Sequence, residues 1–274
     1  MNIIPEVILC ALDPDATGSL CHYRQALIAA CDVAPPPYGT KPYGDKFREV
    51  ASDPFWFASS LLTNAEREAE GSGRLWNLAA STKDPEISAC VKTHAIDESR
   101  HARWYVTILD LVFPGAIEGK IRLHADSISP RYTAEMEPSR DKSSPFARQV
   151  TVDDLVQMNI AEIRTAINQK LQLPLILAYC PEENRSKVLP LLEALQRDEI
   201  CHIEYSARLI EGFVPELGLP CVTDLMIERM RDFNEITCEE VELGVFPLHC
   251  SNKKCWLEDG TVNCIKKRQP TGAT

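Results

Sequence analysis

The sequence predicts an all-α fold in which four long helices form a bundle, with a long crossover between the second and the third helix. Two observations lead to this prediction. Apolar residues recur every three or four positions over four long stretches, which is the period of a helix that packs on one side. Short turns join the stretches within each half of the chain, whereas residues 115–150 have no sustained period.

Composition narrows the class of protein. At 274 residues the chain can bury a full core. A net charge of −11 gives no basic field to collect phosphates, so a nucleic-acid partner is not expected. No apolar run approaches the roughly 20 residues that span a bilayer, and the N-terminus lacks the basic region of a signal peptide. We therefore expect a cytoplasmic protein with no membrane partner.

The eleven cysteines are scattered, which favours thiols in a reducing compartment over a disulfide framework. The C-terminal tail offers one alternative, a zinc site, although its spacing matches no strong zinc signature. The four ligands of such a site would be His249, Cys250, Cys255 and Cys264.

Residues 1–50 form a predicted accessory segment. A helix is expected over residues 19–31, and it ends before the prolines at 35–37. The following stretch, up to Gly44, is expected to be irregular.

The first long helix is predicted over residues 54–81. Its apolar stripe is interrupted at one edge by Glu66, where a charge is costly unless it has a partner. Glu70 is an alternative further round the helix, and Glu68 lies well off the predicted face. Next come Asp84, a natural N-cap, and Pro85, a natural first helical residue.

The second helix is predicted over residues 85–112. His94, Glu98 and His101 occupy consecutive turns in the middle of its apolar face. Three ionisable groups in a row need a common partner, and a metal ion provides one. Glu66 lies 15 residues before Ser81 and Glu98 lies 13 after Pro85, so Glu66 is expected to face the turn that holds Glu98 and His101.

The second half of the chain repeats this arrangement. A third helix over residues 152–178 carries Glu162 as the only charge on its apolar face, and a fourth over residues 183–210 carries Glu199 and His202. A kink or break is expected near Pro174 and near Pro190. A fifth helix is expected over residues 223–242, capped by Thr223 or Asp224, before an irregular tail.

The duplicated motif is the most specific feature of the chain. Each half has a carboxylate on one helix and Glu-x-x-His on the next, and residues three apart share one helix face. With these residues in place, residues 54–212 resemble the ferritin-like di-iron carboxylate superfamily. The resemblance implies a ferritin-like four-helix bundle, with flanking segments at residues 1–50 and 213–274.

The resemblance also implies a ligand set for two metal ions. Glu98 and Glu199 would bridge or chelate the ions, and His101 and His202 would each bind one of them. Glu66 and Glu162 would be the terminal carboxylates. Carboxylate and imidazole ligands suit iron or manganese, and two ferrous ions can share electrons to reduce O2.

His94 departs from the plain pattern, because the equivalent position in the second motif is Leu195. An extra histidine is similar to the additional ligand of the arylamine N-oxygenases, although there it accompanies the second motif. The alternative is a histidine that is hydrogen-bonded to a ligating carboxylate.

The expected function is that of a non-haem di-iron enzyme, which activates O2 to oxidise a small organic substrate with electrons from a donor protein or reductant. N-oxygenation of an amine is the first candidate. Hydroxylation, desaturation or oxidative cleavage of an aliphatic chain is the next. A ferroxidase or iron-storage protein, and a helical interaction protein that binds no metal, are the other classes. A homodimer is one assembly that the sequence leaves open, and a large shell would favour iron storage.

Overall fold

The computed structural model describes residues 3–12 and 20–242, with side chains up to residue 240. Every regular element within these ranges is helical, which confirms the predicted all-α class. The elements are α1 (Ile4–Ala11), α2 (Cys21–Val33), a 3-10 turn (Pro37–Gly39), α3 (Lys41–Ala51), α4 (Pro54–Ser81), α5 (Pro85–Val112), α6 (Gly119–Ser127), α7 (Val152–Tyr179), α8 (Glu182–Leu217) and α9 (Leu219–Glu242).

The chain divides into two compact units. Among the described residues, unit 1 comprises 3–12, 20–47, 150–171 and 196–242, and unit 2 comprises 48–149 and 172–195. Unit 1 is thus built from the N-terminal helices, parts of α7 and α8, and α9. Unit 2 is built from α4, α5, the crossover that follows them, and the remaining parts of α7 and α8.

In unit 2, α4 and α5 form an antiparallel hairpin whose bounds agree with the predicted ones. Local signals explain this agreement. Asp53 accepts a hydrogen bond from the backbone N–H of Phe55, Asp84 accepts from those of Glu86 and Ile87, and a proline follows each cap. The hairpin register is fixed by a buried bond of 2.8 Å, in which the Ser72 hydroxyl donates to the carbonyl of Ala95.

The crossover after α5 contains one helix that the sequence did not predict, α6. Arg122 of α6 donates to both carboxylate oxygens of Asp110 on α5, at 2.6 and 2.7 Å, and this ion pair attaches the helix to the hairpin. The later crossover lies along the hairpin. The ring of Tyr132 stacks on Trp76 with 4.0 Å between centroids, and the Ser129 hydroxyl donates to the carbonyl of Ser99.

No break occurs at Pro174 or Pro190, since α7 and α8 each run through their proline, and a kink at either position stays a prediction. A proline removes one N–H donor from its helix, and both helices make hydrogen bonds to other segments of unit 2 on the turn side of their proline. The Tyr179 hydroxyl contacts the carbonyls of Ala51 and Ser52, and the Asn184 amide donates to the carbonyl of Leu111.

The fourth long helix, α8, continues to Leu217, seven residues beyond its predicted end. It stops at Gly218, whose φ of +82° is the left-handed conformation that glycine adopts at helix ends. The last helix, α9, therefore begins at Leu219, before the predicted cap. Thr223 lies within its first turns, and its hydroxyl donates to the carbonyl of Leu219.

In unit 1, the N-terminal helices pack against α7, α8 and α9. α2 lies close to its predicted range, and its first N–H groups are capped by Glu211 of α8, which accepts from the N–H of Tyr23 at 2.7 Å. The stretch up to Gly44 was expected to be irregular, but α3 begins at Lys41. Proline at the second position of a helix, here Pro42, breaks no backbone hydrogen bond.

Two further expectations concern the described residues as a whole. None of the helices in residues 3–12 and 20–242 combines the length and the apolar character needed to cross a membrane. The eight cysteines in these ranges form no disulfides with one another. The tail with His249 and its three cysteines lies outside the described residues.

Candidate metal centre

The first cluster of potential metal ligands lies in unit 2 and consists of Glu68, His94, Glu98 and His101. The three α5 residues are almost fully buried, with exposed fractions of 1%, 5% and 0%. One carboxylate oxygen of Glu98 lies 3.2 Å from His94 Nε2 and 3.5 Å from His101 Nδ1. Glu68 Oε2 lies 4.0 Å from His101 Nδ1. Ligands bound to one metal ion at roughly 2.1 Å are separated by similar distances.

Glu68 corrects the sequence prediction, which selected Glu66. Glu66 instead lies beside His124 of α6, with 2.8 Å between Oε1 and Nε2, and the His124 side chain is 53% exposed. The alternative, Glu70, forms an ion pair with Arg74 and is 63% exposed. Of the three carboxylates on this part of α4, Glu68 is the one that lies against the buried histidines.

The register of the hairpin explains this result. Glu68 lies 13 residues before Ser81, and Glu98 lies 13 residues after Pro85, so the two are equidistant from the turn. The bond between Ser72 and Ala95, one helical turn away, joins residues 9 before Ser81 and 10 after Pro85, which is within one residue of this register. On α4, Glu68 also lies on a buried stripe with Ala65 and Ser72, at the spacing of three and four that marks one face.

Opposing effects set the ionisation of Glu98. Burial raises the pKa of Glu98, but its hydrogen bonds with Glu68, His101 and His94 together outweigh that effect. These interactions hold the pKa of this carboxyl group well below its ordinary value. Glu98 is therefore ionised at neutral pH, which is the form that binds a cation.

The second cluster lies in unit 1 and consists of Glu162 on α7 and Glu199 and His202 on α8, with Gln169 beside them. Glu199 is fully buried, His202 is 3% exposed and Glu162 is 9% exposed. Glu199 Oε2 lies 3.7 Å from His202 Nδ1, and Glu162 and His202 offer ligand atoms within 4.8 Å of each other. Gln169 donates from its amide to Glu199 Oε1 at 2.8 Å.

A buried polar network holds the two helices of the second cluster together. One turn before Glu162, Asn159 donates to the carbonyl of Ile203 at 3.1 Å and to the Ser206 hydroxyl at 2.9 Å. Its side-chain oxygen accepts from the Tyr23 hydroxyl at 2.8 Å. All three side chains, those of Asn159, Ser206 and Tyr23, are fully buried. Because buried polar groups need hydrogen-bond partners, these bonds fix the register of α7 and α8 in unit 1.

The two clusters are chemically unequal. Glu98 has His94 one turn before it on the same helix, whereas the residue one turn before Glu199 is the buried Leu195. Glu199 has the neutral amide of Gln169 as its partner instead. Gln169 was not among the predicted site residues, although it lies seven residues, or two helical turns, after Glu162 and thus on the same face. A polar residue among apolar neighbours on that face was the available signal.

The donor set of both clusters suits a hard or borderline cation. Within the described residues, the grouped ligands are carboxylates and imidazoles with no cysteine among them. Cys201, between Glu199 and His202 in sequence, is exposed. Such a set fits iron or manganese better than copper(I) or a structural zinc ion. A dication would also offset the cost of burying several carboxylates.

Comparisons with protein-family models, with curated proteins and with solved structures returned no match. The fold and these side chains alone define the class: an all-α protein with buried carboxylates and histidines that could hold metal ions.

Proposed function

We propose that this chain is a non-haem di-iron oxygenase in which the residues of the two clusters hold two iron ions. The proposed ligands are Glu68, Glu98 and His101, with His94 beside them, and Glu162, Glu199 and His202. The observation that carries the proposal is the burial of both Glu-x-x-His motifs, with carboxylate and imidazole 3.5 and 3.7 Å apart. Burying such groups twice, at equivalent points of a repeated sequence, is costly for a purely structural purpose.

We also propose that α4, α5, α7 and α8 form the four helices of a ferritin-like bundle. Their order supports this, since two helical pairs are joined by a crossover of residues 113–151. The duplicated motif supports it too, because each pair contributes one carboxylate from its first helix and Glu-x-x-His from its second. This is the arrangement that the ferritin-like resemblance implies.

Bound ferrous iron would supply electrons for the reduction of O2. The protein's contribution is to bind and shield the reactants. Burial of His101 and Glu199 excludes water from their surroundings, and the caps and hydrogen bonds of α4 and α5 fix the ligand positions before metal binds.

The first substrate class that we propose is an amine. This choice rests on His94, because an additional histidine near the motif is similar to the additional ligand of the arylamine N-oxygenases. N-oxygenation consumes R–NH2, O2, two electrons and two protons, and it yields R–NHOH and water. A donor protein or small reductant supplies the two electrons.

The test is O2 consumption by iron-reconstituted protein with a reductant and a panel of arylamines and fatty acids, with product identification by mass spectrometry. An amine-dependent hydroxylamine supports the proposal. Oxidised fatty acid would retain the oxygenase and replace the substrate class. O2 uptake that yields only ferric iron would contradict an oxygenase. Glu199→Ala should abolish turnover, whereas Glu193→Ala, at an exposed position of the same helix, should not.

A further inference from the structure

The hydrogen bond between Gln169 and Glu199 identifies a residue that the ligand set does not include. Gln169 lies on α7, two turns after Glu162, and is 7% exposed. Its Nε2 atom donates to Glu199 Oε1 at 2.8 Å, within unit 1. Glu199 is itself fully buried, so this contact is made away from solvent, where it is worth more than on a surface.

The chemistry of the two groups determines the direction of the bond. The amide nitrogen of Gln169 is a donor and the carboxylate oxygen an acceptor, so Nε2 of Gln169 faces Oε1 of Glu199. The bond occupies Oε1 of Glu199 and leaves Oε2 on the side of His202, 3.7 Å from Nδ1. The amide therefore selects which oxygen is presented beside the imidazole.

The first cluster achieves the same result with a different group. There, Nε2 of His94 lies 3.2 Å from Oε1 of Glu98, one turn further along the same helix. Leu195 takes the equivalent position in the second motif and cannot donate a hydrogen bond. Gln169, on the neighbouring helix, supplies the bond that Leu195 cannot.

We propose that Gln169 is a positioning residue, which orients the Glu199 carboxylate for the metal ion beside His202. This inference rests on the proposed function. A carboxylate that is free to rotate must be ordered when metal binds, whereas one held by a buried amide is already oriented. Loss of such an outer partner typically lowers metal affinity by about 10- to 100-fold.

The experiment titrates metal-free full-length protein with Co²⁺, whose visible absorption reports the geometry of each bound ion. The variant is Gln169→Met, which keeps the length and volume of the side chain without its donor. The matched control is Gln172→Met, because Gln172 is also on α7 and is 5% exposed. Far-ultraviolet circular dichroism of all three proteins reports whether the helices are retained.

We expect Gln169→Met to retain its helices, to bind one Co²⁺ equivalent normally and to bind the other about 10- to 100-fold more weakly, with an altered spectrum. Gln172→Met should match the wild type. Unchanged affinity and spectrum in Gln169→Met, or equal losses in both variants, would overturn the positioning role. A wild-type protein that binds no cobalt at all would instead contradict the proposed metal centre, so the two failures are distinguishable.

Discussion

The Nδ1 atom of His101 lies 4.0 Å from a carboxylate oxygen of Glu68, while Glu66, half a turn earlier on α4, lies 2.8 Å from the exposed His124. These two neighbouring carboxylates therefore have different surroundings. Glu68 joins a buried cluster with two histidines on α5, whereas Glu66 forms a partly exposed pair with α6. The first cluster thus depends on a residue that lies off the stripe chosen from the sequence.

Glu68→Ala should impair iron loading more than Glu66→Ala. Glu68 supplies a carboxylate oxygen to the first cluster, and no other α4 carboxylate lies there among the described residues. We expect Glu68→Ala to lose about one iron equivalent and Glu66→Ala to retain both. Iron analysis after anaerobic reconstitution and gel filtration measures this. Equal loading by the two variants, or a greater loss in Glu66→Ala, would contradict the placement.

Glu98 should make the stability of the metal-free protein depend on acid pH. Its folded-state pKa lies well below the ordinary value, so its ionised form stabilises the fold above the unfolded-state pKa of about 4.3. That contribution is lost as the pH falls through the lower, folded-state pKa.

The free energy of unfolding should therefore differ most between wild type and Glu98→Gln near neutral pH, and the difference should shrink in acid. Denaturant titrations with a chelator present measure it. Glu86→Gln, at an exposed position on the same helix, is the control and should show a small, nearly constant difference. A difference for Glu98→Gln that stayed constant with pH would show that its carboxylate is not specially stabilised.

His94→Ala should leave iron bound but change the reaction with O2. Three other residues of the first cluster remain, so we expect affinity to fall by about tenfold and not to vanish. The rate or spectrum of the O2 reaction should change, because Glu98 loses the imidazole 3.2 Å away. Stopped-flow absorption measures this, and an unchanged reaction would make His94 a structural residue.

The network around Asn159 should contribute measurably to stability. Asn159→Ala leaves the Tyr23 hydroxyl and the Ser206 hydroxyl without this partner in a buried region, so we expect a loss of about 2–3 kcal/mol. Tyr23→Phe should cost about 1 kcal/mol, and the double variant should cost less than the sum. Additive losses in thermal or denaturant unfolding would show that the residues act separately.

Local signals predicted much of this structure. An aspartate cap and a following proline fix the starts of α4 and α5, and these are readable in the sequence. The stripe of α5 was also readable, since His94, Glu98 and His101 are all buried.

Features that depend on packing between helices could not be predicted from local sequence patterns. Residues 56–63 of α4 are all buried, so periodicity there selects no single face, and Glu66 was chosen over Glu68. The breaks that were one alternative at Pro174 and Pro190 are absent, because both helices continue through their proline. The hydrogen bond of Gln169 joins residues 30 positions apart on two helices, and no local pattern predicts such a pair.

The proposed di-iron function requires that the buried clusters bind two iron ions that react with O2. The most direct measurement is iron per chain after anaerobic reconstitution with ferrous iron, followed by stopped-flow absorption on mixing with O2. We expect the wild type to bind two irons per chain and to show a transient absorption band after O2 is added, whereas Glu98→Ala and His202→Ala should show neither the two irons nor the band and should keep their helical content. No bound iron and no transient in the wild type would contradict it.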